Sequence, residues 1–217
     1  MRRRIVLAIA AAGLAAGCVT SKVEQMRTAP RPIVVAKGDS VVVLSRRHRG
    51  DRETEESFTG CLTRSLEHRH LPIYPDRAFV DAMFPWMEPR TAPMSSDGMN
   101  TLLDDPVLSA RVRQTGVRFM IWIDGETETI DSAGSMGCSI LPVPACLGFG
   151  WWEKRSKYEV SVWDVRDRSA VGKVSVNASG TSYVPAVIIP VPMIARTEAA
   201  ACDGIAGQIG ELLGSRK

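Results

Sequence analysis

Apolar and polar side chains alternate most clearly over residues 117–129, which predicts a β-strand. Successive strand side chains point to opposite faces of a sheet. Both faces of this segment are apolar at its start and polar towards its end, which indicates a central strand that continues into solvent. Its first apolar positions are Val117, Phe119, Ile121 and Ile123. Similar alternation predicts strands over 158–165 and 171–182. Because the links between these strands are rich in turn residues, we expect an antiparallel meander.

Apolar residues at helical spacing predict helices over 52–68, 77–83, 106–115 and 196–213. The third helix follows Asp104 and Asp105 and has Pro106 in its first turn, which is typical of a helix start. The β-branched runs 33–35 and 41–44 indicate a first strand or a short hairpin, and residues 72–75 are interpreted as a short extended segment followed by a turn. Residues 84–98 are rich in proline, glycine and serine and are interpreted as an irregular loop.

This order of elements predicts the fold class α+β. We expect a two-layer domain, with the helices on one face of a mostly antiparallel sheet. The domain is predicted to be single and to occupy residues 33–217. Residues 18–32 are polar with prolines near their end, and are interpreted as a flexible tether.

The N-terminus has the pattern of an export signal. Three arginines, Arg2 to Arg4, precede an apolar run from Ile5 to Leu14. This run is too short to span a bilayer comfortably, so residues 1–17 are predicted to be a removable signal peptide. The residues Ala15-Ala16-Gly17-Cys18 resemble the lipobox of bacterial lipoproteins, which implies that Cys18 is lipidated and becomes the mature N-terminus. The alternative is an ordinary cleaved signal.

Removal of the signal balances the charge of the chain. The whole sequence has 27 Lys and Arg against 24 Asp and Glu. The signal contains three of the arginines and no acidic residue, which leaves 24 of each sign in the mature part. A balanced chain lacks the positive field of a general nucleic-acid binder. A hydrophobic fraction of 45% fits a globular protein.

Four cysteines remain once Cys18 is assigned to lipid: Cys61, Cys138, Cys146 and Cys202. An even number in an oxidising compartment indicates two disulfides, although four cysteines allow three pairings. Cys138 and Cys146 are close in sequence and are expected to staple a loop. Cys61 and Cys202 would then join an early helix to the last one. The spacing matches no common zinc site, so no metal is predicted, and no cofactor is predicted either.

The sequence contains no recognisable catalytic motif. The sequence contains no glycine-rich phosphate loop, nucleophile elbow or His-Glu-x-x-His motif. Asp124, Glu126 and Glu128 alternate along one strand face, where a carboxylate pair could hydrolyse glycan or peptide. The simpler interpretation of these carboxylates is a solvated strand face.

Two uncharged apolar segments, 140–152 and 184–194, are the strongest candidates for a binding surface. They either pack on each other or under the helices, or they form an exposed patch that meets a partner. Aromatic residues are common anchors at interfaces. The predicted partner-binding residues are Trp151, Trp152, Ile188 and Ile189.

The layout of the chain resembles two groups of envelope lipoproteins: the outer-membrane activators of penicillin-binding proteins, and the curli-secretion lipoprotein with its relatives. The matching features are the lipobox-like residues, the strand 41–44 followed by the Cys61 helix, the junction Gly116-Val117-Arg118-Phe119 and the closing helix around Cys202.

These features predict a non-enzymatic module that binds or scaffolds another envelope protein. It would be held in the outer membrane by its lipid and would face the periplasm, because Val19 is not the Asp that retains many lipoproteins at the inner membrane. The alternatives are an envelope hydrolase and a homo-oligomer formed through the apolar segments.

Overall fold

The computed structural model describes residues 21–28, 33–46, 54–88, 91–93, 96–140, 145–188 and 194–214. These residues form six strands and five helices. The strands are β1 (Lys22–Thr28), β2 (Ser40–Ser45), β3 (Ile73–Tyr74), β4 (Val117–Ser139), β5 (Ala145–Asp164) and β6 (Ser169–Ile188). The helices are α1 (Glu56–Glu67), α2 (Asp76–Ala82), α3 (Ser96–Leu103), α4 (Pro106–Gln114) and α5 (Thr197–Leu212).

The six strands form one mixed sheet in the order β1-β6-β5-β4-β2-β3. β2 is parallel to both of its neighbours, with Val41 opposite Ile73 on one side and opposite Phe119 on the other. β4 and β5 run in opposite directions, since Val165 N donates to Arg118 O at 2.8 Å while Thr127 Oγ1 lies 2.7 Å from Ser156 Oγ. The predicted α+β class is confirmed.

Helices lie on both faces of β2, whereas the sequence predicted all helices on one face of the sheet. Val42 and Leu44 belong to a buried cluster with Phe79 of α2, Met99 of α3 and Leu108 of α4. Val41 and Val43 therefore point to the opposite face, where Val43 and α1 line a common cleft. All four residues 41–44 are buried. An unbroken apolar run of this kind needs cover on both sides.

Two elements were not predicted from the sequence. α3 begins inside the segment interpreted as a loop, where Met99 and Leu103 are buried one helical turn apart. β1 lies inside the segment interpreted as a flexible tether, and most of its side chains are exposed. Because β1 is the edge strand next to β6, it buries little apolar surface, so its sequence carries no strand alternation.

The three long strands continue well past their predicted ends. β4 extends to Ser139, ten residues beyond the predicted end at 129, and β5 begins at Ala145 rather than 158. Residues 131–140 are exposed at every position, so no alternation of burial marks this half of β4. The segment interpreted as a stapled loop is the outer part of a long β-hairpin.

Contacts divide the chain into two compact units. The hairpin unit contains residues 128–155 and 178–197 together with Ser21 and Lys22. The helical unit contains residues 23–127, 156–177 and 198–217. Each of the two predicted disulfides forms inside one unit: Cys138–Cys146 in the hairpin unit and Cys61–Cys202, between α1 and α5, in the helical unit.

Candidate functional site

The hairpin unit contains two long segments without charged residues, 132–152 and 178–195. We call these the uncharged segments. The charged residues of the unit lie where its strands enter and leave it, at Asp131, Glu153, Lys154, Arg155 and Arg196 among others. Within the hairpin unit, charge is therefore confined to one end of each strand. The rest of each strand inside the unit is apolar or neutral.

Large apolar side chains of the uncharged segments are exposed. The exposed fractions are 80% for Ile140, 68% for Leu147, 58% for Ile194, 48% for Phe149 and 40% for Met136. Because residues 131–140 are exposed at consecutive positions, β4 presents both of its faces here. Apolar surface concentrated in this way makes the hairpin unit a candidate interaction site.

Several contacts fix the geometry of this surface. The Cys138–Cys146 disulfide joins β4 to β5 with a Cα–Cα distance of 4.1 Å. The rings of Phe149 and Tyr183 lie 6.0 Å apart between their centroids, which couples β5 to β6. Ala195 N donates to Ser182 Oγ at 3.0 Å and holds the chain beside the exposed Ile194. The apolar side chains are thus displayed on a cross-linked scaffold.

β4 and β5 also approach closely at a glycine pair. Gly134 has a φ of +151°, and a Cβ there would lie 2.5 Å from the Cα of Gly150. Real Cβ contacts are not this short, so the position requires glycine. Gly134, like Gly148, therefore belongs to close strand pairing rather than to a flexible loop.

The predicted partner-binding residues are only partly described. Trp151 and Trp152 lie on β5 and are half-buried. Ile188 is the last residue of β6, and its side chain lies outside the described residues, as does all of Ile189. Cys18 and the signal segment also lie outside them.

The most exposed residues were not singled out from the sequence. Ile140, Leu147 and Phe149 fall inside the apolar segment 140–152, but the residues predicted there were Trp151 and Trp152, as aromatic anchors. Met136 lies outside that segment. The signal that would have found all four is the absence of charge over the whole range 132–152.

Two of the three carboxylates considered for hydrolysis have interaction partners. Arg46 Nη1 pairs with Asp124 Oδ1 at 3.0 Å. Glu126 also has an interaction partner, and Glu128 is exposed in the hairpin unit. The described residues contain no group of three or more His, Cys, Asp or Glu side chains placed to hold a metal.

Buried polar groups of the helical unit form two closed networks. In the first, Tyr158 Oη donates to Glu55 Oε2 at 2.6 Å and lies 2.9 Å from Thr127 Oγ1. Thr127 N donates to Glu55 Oε1, also at 2.6 Å. Burial raises the pKa of Tyr158 well above its usual value, and the Glu55 carboxylate raises it further. Tyr158 therefore acts as a neutral hydrogen-bond donor.

The second network joins two buried carboxylates through arginine. Arg118 Nη1 pairs with Asp39 Oδ2 and Arg118 Nε with Asp164 Oδ2, each at 2.9 Å. Arg166 Nη2 pairs with Asp39 Oδ1 at 2.8 Å. Burial opposes ionisation of Asp39, but the hydrogen bonds from the two arginines outweigh it and hold its pKa below the ordinary value. These bonds tie the start of β2 to β4 and to the end of β5.

Two of the large clefts of the helical unit adjoin its helices. One of about 420 Å³ lies between α1 and the β3–α2 segment and contains charges of both signs, including Arg64, Glu67 and Arg77. The other, of about 680 Å³, is lined by Lys37, Arg69 and His70 together with Asp39. Asp39 is already bound by arginines, so the second cleft is the more basic one.

No helix among the described residues is long and apolar enough to cross a membrane. The sequence matches no protein-family profile and no curated protein.

Two solved dodecamers of PelC from Paraburkholderia phytofirmans are similar in structure. A PelC variant in space group C2 gives a TM-score of 0.40 at 15% identity, covering 90% of this chain and 99% of that one. PelC in space group P6 gives 0.41 at 14% identity, covering 91% and 99%. Similarity this distant identifies neither a family nor a function for the chain.

Proposed function

We propose that this chain is a non-enzymatic lipoprotein of the bacterial envelope that binds or scaffolds another envelope protein. In this proposal Cys18 carries the lipid, the outer membrane is the site of attachment, and the protein faces the periplasm. The lipobox-like residues 15–18 support the lipidation, and the two disulfides are consistent with an oxidising compartment. The hairpin unit is the docking surface.

One observation carries the proposal: the uncharged segments hold exposed large apolar side chains on a cross-linked strand scaffold. An enzyme would instead need polar groups that converge on a substrate. The buried carboxylates Asp39 and Asp164 are already bound by arginine, and Glu55 is bound by Tyr158. The proposal therefore assigns these groups to stability.

A crosslinked pull-down from intact cells tests this function. Wild type is compared with Trp151→Ala/Trp152→Ala, with Leu147→Asp/Phe149→Asp, and with Val107→Asp as a control. Val107 is 56% exposed but lies on α4 in the helical unit. We expect a partner that wild type and the control retain and the hairpin variants lose. Equal recovery from all variants would contradict the proposal, and recovery of a second copy alone would replace the partner by a homo-oligomer.

A further inference from the structure

One cleft of the helical unit brings together three basic side chains. We call this cleft, which measures about 680 Å³, the basic cleft. Lys37, Arg69 and His70 line it, and none of these side chains makes a hydrogen bond or an ion pair with any residue that the structure describes. Arg69 is half-buried. Because burial of a charge is costly unless the charge is paired, the cleft is suited to an anion.

The carboxylate of Asp39 also lines the basic cleft but does not neutralise it. Its two oxygens accept from Arg118 Nη1 at 2.9 Å and from Arg166 Nη2 at 2.8 Å. Arg118 also binds the buried Asp164. The two carboxylates and the two guanidiniums of this network cancel in charge, so the cations of the basic cleft are left over.

A tight turn fixes the backbone at Lys37. Asp39 N donates to Ala36 O at 3.1 Å, and Gly38 follows Lys37 with a φ of +93°. A positive φ at the third residue is typical of a type II turn and favours glycine there. Asp39 Oδ2 also accepts from Ala36 N at 3.3 Å. The side chain that binds the two arginines therefore also holds the turn that carries Lys37.

The chain leaves α1 through a backbone conformation that favours glycine, yet the residue there is His70. Leu71 N donates to Leu66 O at 3.2 Å and His70 N to Glu67 O at 2.8 Å, which is the hydrogen-bond pattern of a Schellman motif. The motif places His70 in the left-handed region, with a φ of +63°. A histidine there has a less stable backbone than glycine would have. Such strain is concentrated at ligand sites, and here it places an imidazole next to Arg69 in the basic cleft.

Apolar residues complete the lining of the basic cleft. Leu71 and Leu213 line it and are otherwise buried, and Val35 and Pro72 add further apolar surface. Its volume lies in the range of sites that take small organic molecules. The lining therefore fits a ligand that has both an acidic group and an organic part.

We propose that the basic cleft binds a phosphomonoester, with the phosphate against Lys37, Arg69 and His70 and the organic part over Leu71 and Leu213. At neutral pH this group has about two negative charges and three acceptor oxygens. It therefore matches two fixed cations better than a single carboxylate does. Arg69 has the planar fork that binds phosphate at two points, whereas Lys37 acts as a point charge. This site is independent of the docking surface in the proposed function.

Calorimetric titration of the full chain, purified from its own cells in neutral detergent, tests the site. The probes are glycerol phosphate, phosphatidic acid in the same micelles, and succinate as a dicarboxylate. Ionic strength is held constant because salt screens exposed charges. We expect saturable binding of a phosphomonoester, weakened by more than about tenfold in Lys37→Gln/Arg69→Gln. Arg64→Gln/Arg77→Gln removes the same charge from the other cleft and is expected to bind as wild type does.

The two phosphate probes distinguish the source of the ligand. Saturation by glycerol phosphate would support the site with a soluble ligand, and saturation by phosphatidic acid alone would support it with a lipid headgroup. Three results would overturn the inference: no saturable binding of either probe, succinate binding as tightly as the phosphomonoester, or an equal loss of affinity in the two double variants.

A second variant separates binding from folding. His70→Gly relieves the left-handed backbone, so its urea unfolding midpoint is expected to rise while its affinity for the phosphomonoester falls. A more stable protein that binds less tightly is not explained by misfolding. Wild-type affinity in His70→Gly would contradict the assignment of His70 to the site. The pull-down through the hairpin unit tests the proposed function separately, so either proposal can fail without the other.

Discussion

The phenolic hydroxyl of Tyr158 donates a 2.6 Å hydrogen bond to Glu55 and thereby joins the residue before α1 to the middle of β5. The ring of Phe58, in the first turn of the same helix, stacks on the Tyr158 ring with 3.5 Å between centroids. Helix and strand are therefore held by one charged hydrogen bond and one apolar contact at the same point.

Removal of the Tyr158 hydroxyl separates the two contributions. Tyr158→Phe keeps the ring contact and removes the bond to the carboxylate, which we expect to lower the free energy of unfolding by about 2 kcal/mol. Urea unfolding at neutral pH measures the change. Tyr183→Phe in the hairpin unit is the control. An unchanged midpoint in Tyr158→Phe would show that the bond adds nothing to stability.

The raised pKa of Tyr158 predicts a loss of stability in alkali. Its pKa in the folded chain lies above the value of about 10 that an unfolded chain has. The unfolded state therefore releases a proton above that pH while the folded state keeps it, and stability falls as pH rises. Unfolding midpoints between pH 8 and 11 are expected to decline more steeply in wild type than in Tyr158→Phe. Parallel curves would contradict this.

Loss of Arg118 leaves two buried carboxylates without their shared cation. We expect Arg118→Met to destabilise the fold by about 3 kcal/mol or more at neutral pH. The same change at Arg166, whose side chain is 59% exposed, is expected to cost less. Thermal or urea unfolding of the two variants gives the comparison.

Acidification is expected to narrow the difference in stability between wild type and Arg118→Met. In wild type the depressed pKa of Asp39 contributes stability above pH 4 that is lost as pH falls through the folded pKa. In Arg118→Met burial acts without this counter-charge and raises that pKa, so the variant is expected to gain stability relative to wild type as pH approaches 4. A constant difference between the two proteins from pH 7 to 4 would contradict the assignment.

The two disulfides are expected to differ in their effect on stability. Cys61–Cys202 closes a loop of 141 residues and Cys138–Cys146 one of eight. The chain-entropy relation gives about 5 kcal/mol for the first and about 2.5 kcal/mol for the second. Unfolding of the Cys61→Ala/Cys202→Ala and Cys138→Ala/Cys146→Ala proteins measures both. A larger loss from the short loop would show that strand pairing, rather than chain entropy, governs these bonds.

Gly125 is predicted to be irreplaceable at the pairing of β4 with β5. It has a φ of +144°, and a Cβ there would lie 2.1 Å from Lys157 O and 2.7 Å from the Cα of Tyr158. Gly125→Ala must therefore displace backbone, and we expect a loss of about 2 kcal/mol or more in unfolding free energy. Gly137→Ala is the control, since a Cβ there meets nothing within 4 Å.

Local signals in the sequence were sufficient for some elements. Asp105 and Pro106 predict the start of α4, and the structure shows Asp105 Oδ1 accepting from Val107 N at 2.7 Å and Leu108 N at 3.1 Å. Such a cap depends on neighbours in the chain and is visible without tertiary structure. The buried start of β4 and the buried end of β5 were also predicted, from the pattern of apolar residues along each strand.

Other features depend on what lies across the sheet. The run 41–44 contained the evidence for helices on both faces, but a continuous apolar run does not say which helices supply the cover. β1 is a strand because its backbone pairs with β6 at the edge of the sheet. Every side chain in the outer half of β4 is exposed, so no alternation of apolar and polar residues marks it in the sequence. Pairing with β5 and the disulfide at Cys138 hold this half as a strand.

The candidate site was located from the sequence only as a segment. Composition identified residues 140–152 as apolar and uncharged, and the structure adds that Ile140, Leu147 and Phe149 are exposed there while Trp151 and Trp152 are half-buried. Exposure is a property of the pairing of β4, β5 and β6. No spacing rule within one strand could provide it.

Photo-crosslinking in intact cells tests most directly whether the hairpin unit is the docking surface. A photoreactive residue replaces Leu147 in one protein and Val107 in another. We expect adducts with an envelope protein at position 147 and none at position 107. Lipid adducts alone at position 147 would contradict the docking of a protein. Equal labelling of the two positions, or none at 147, would contradict the account.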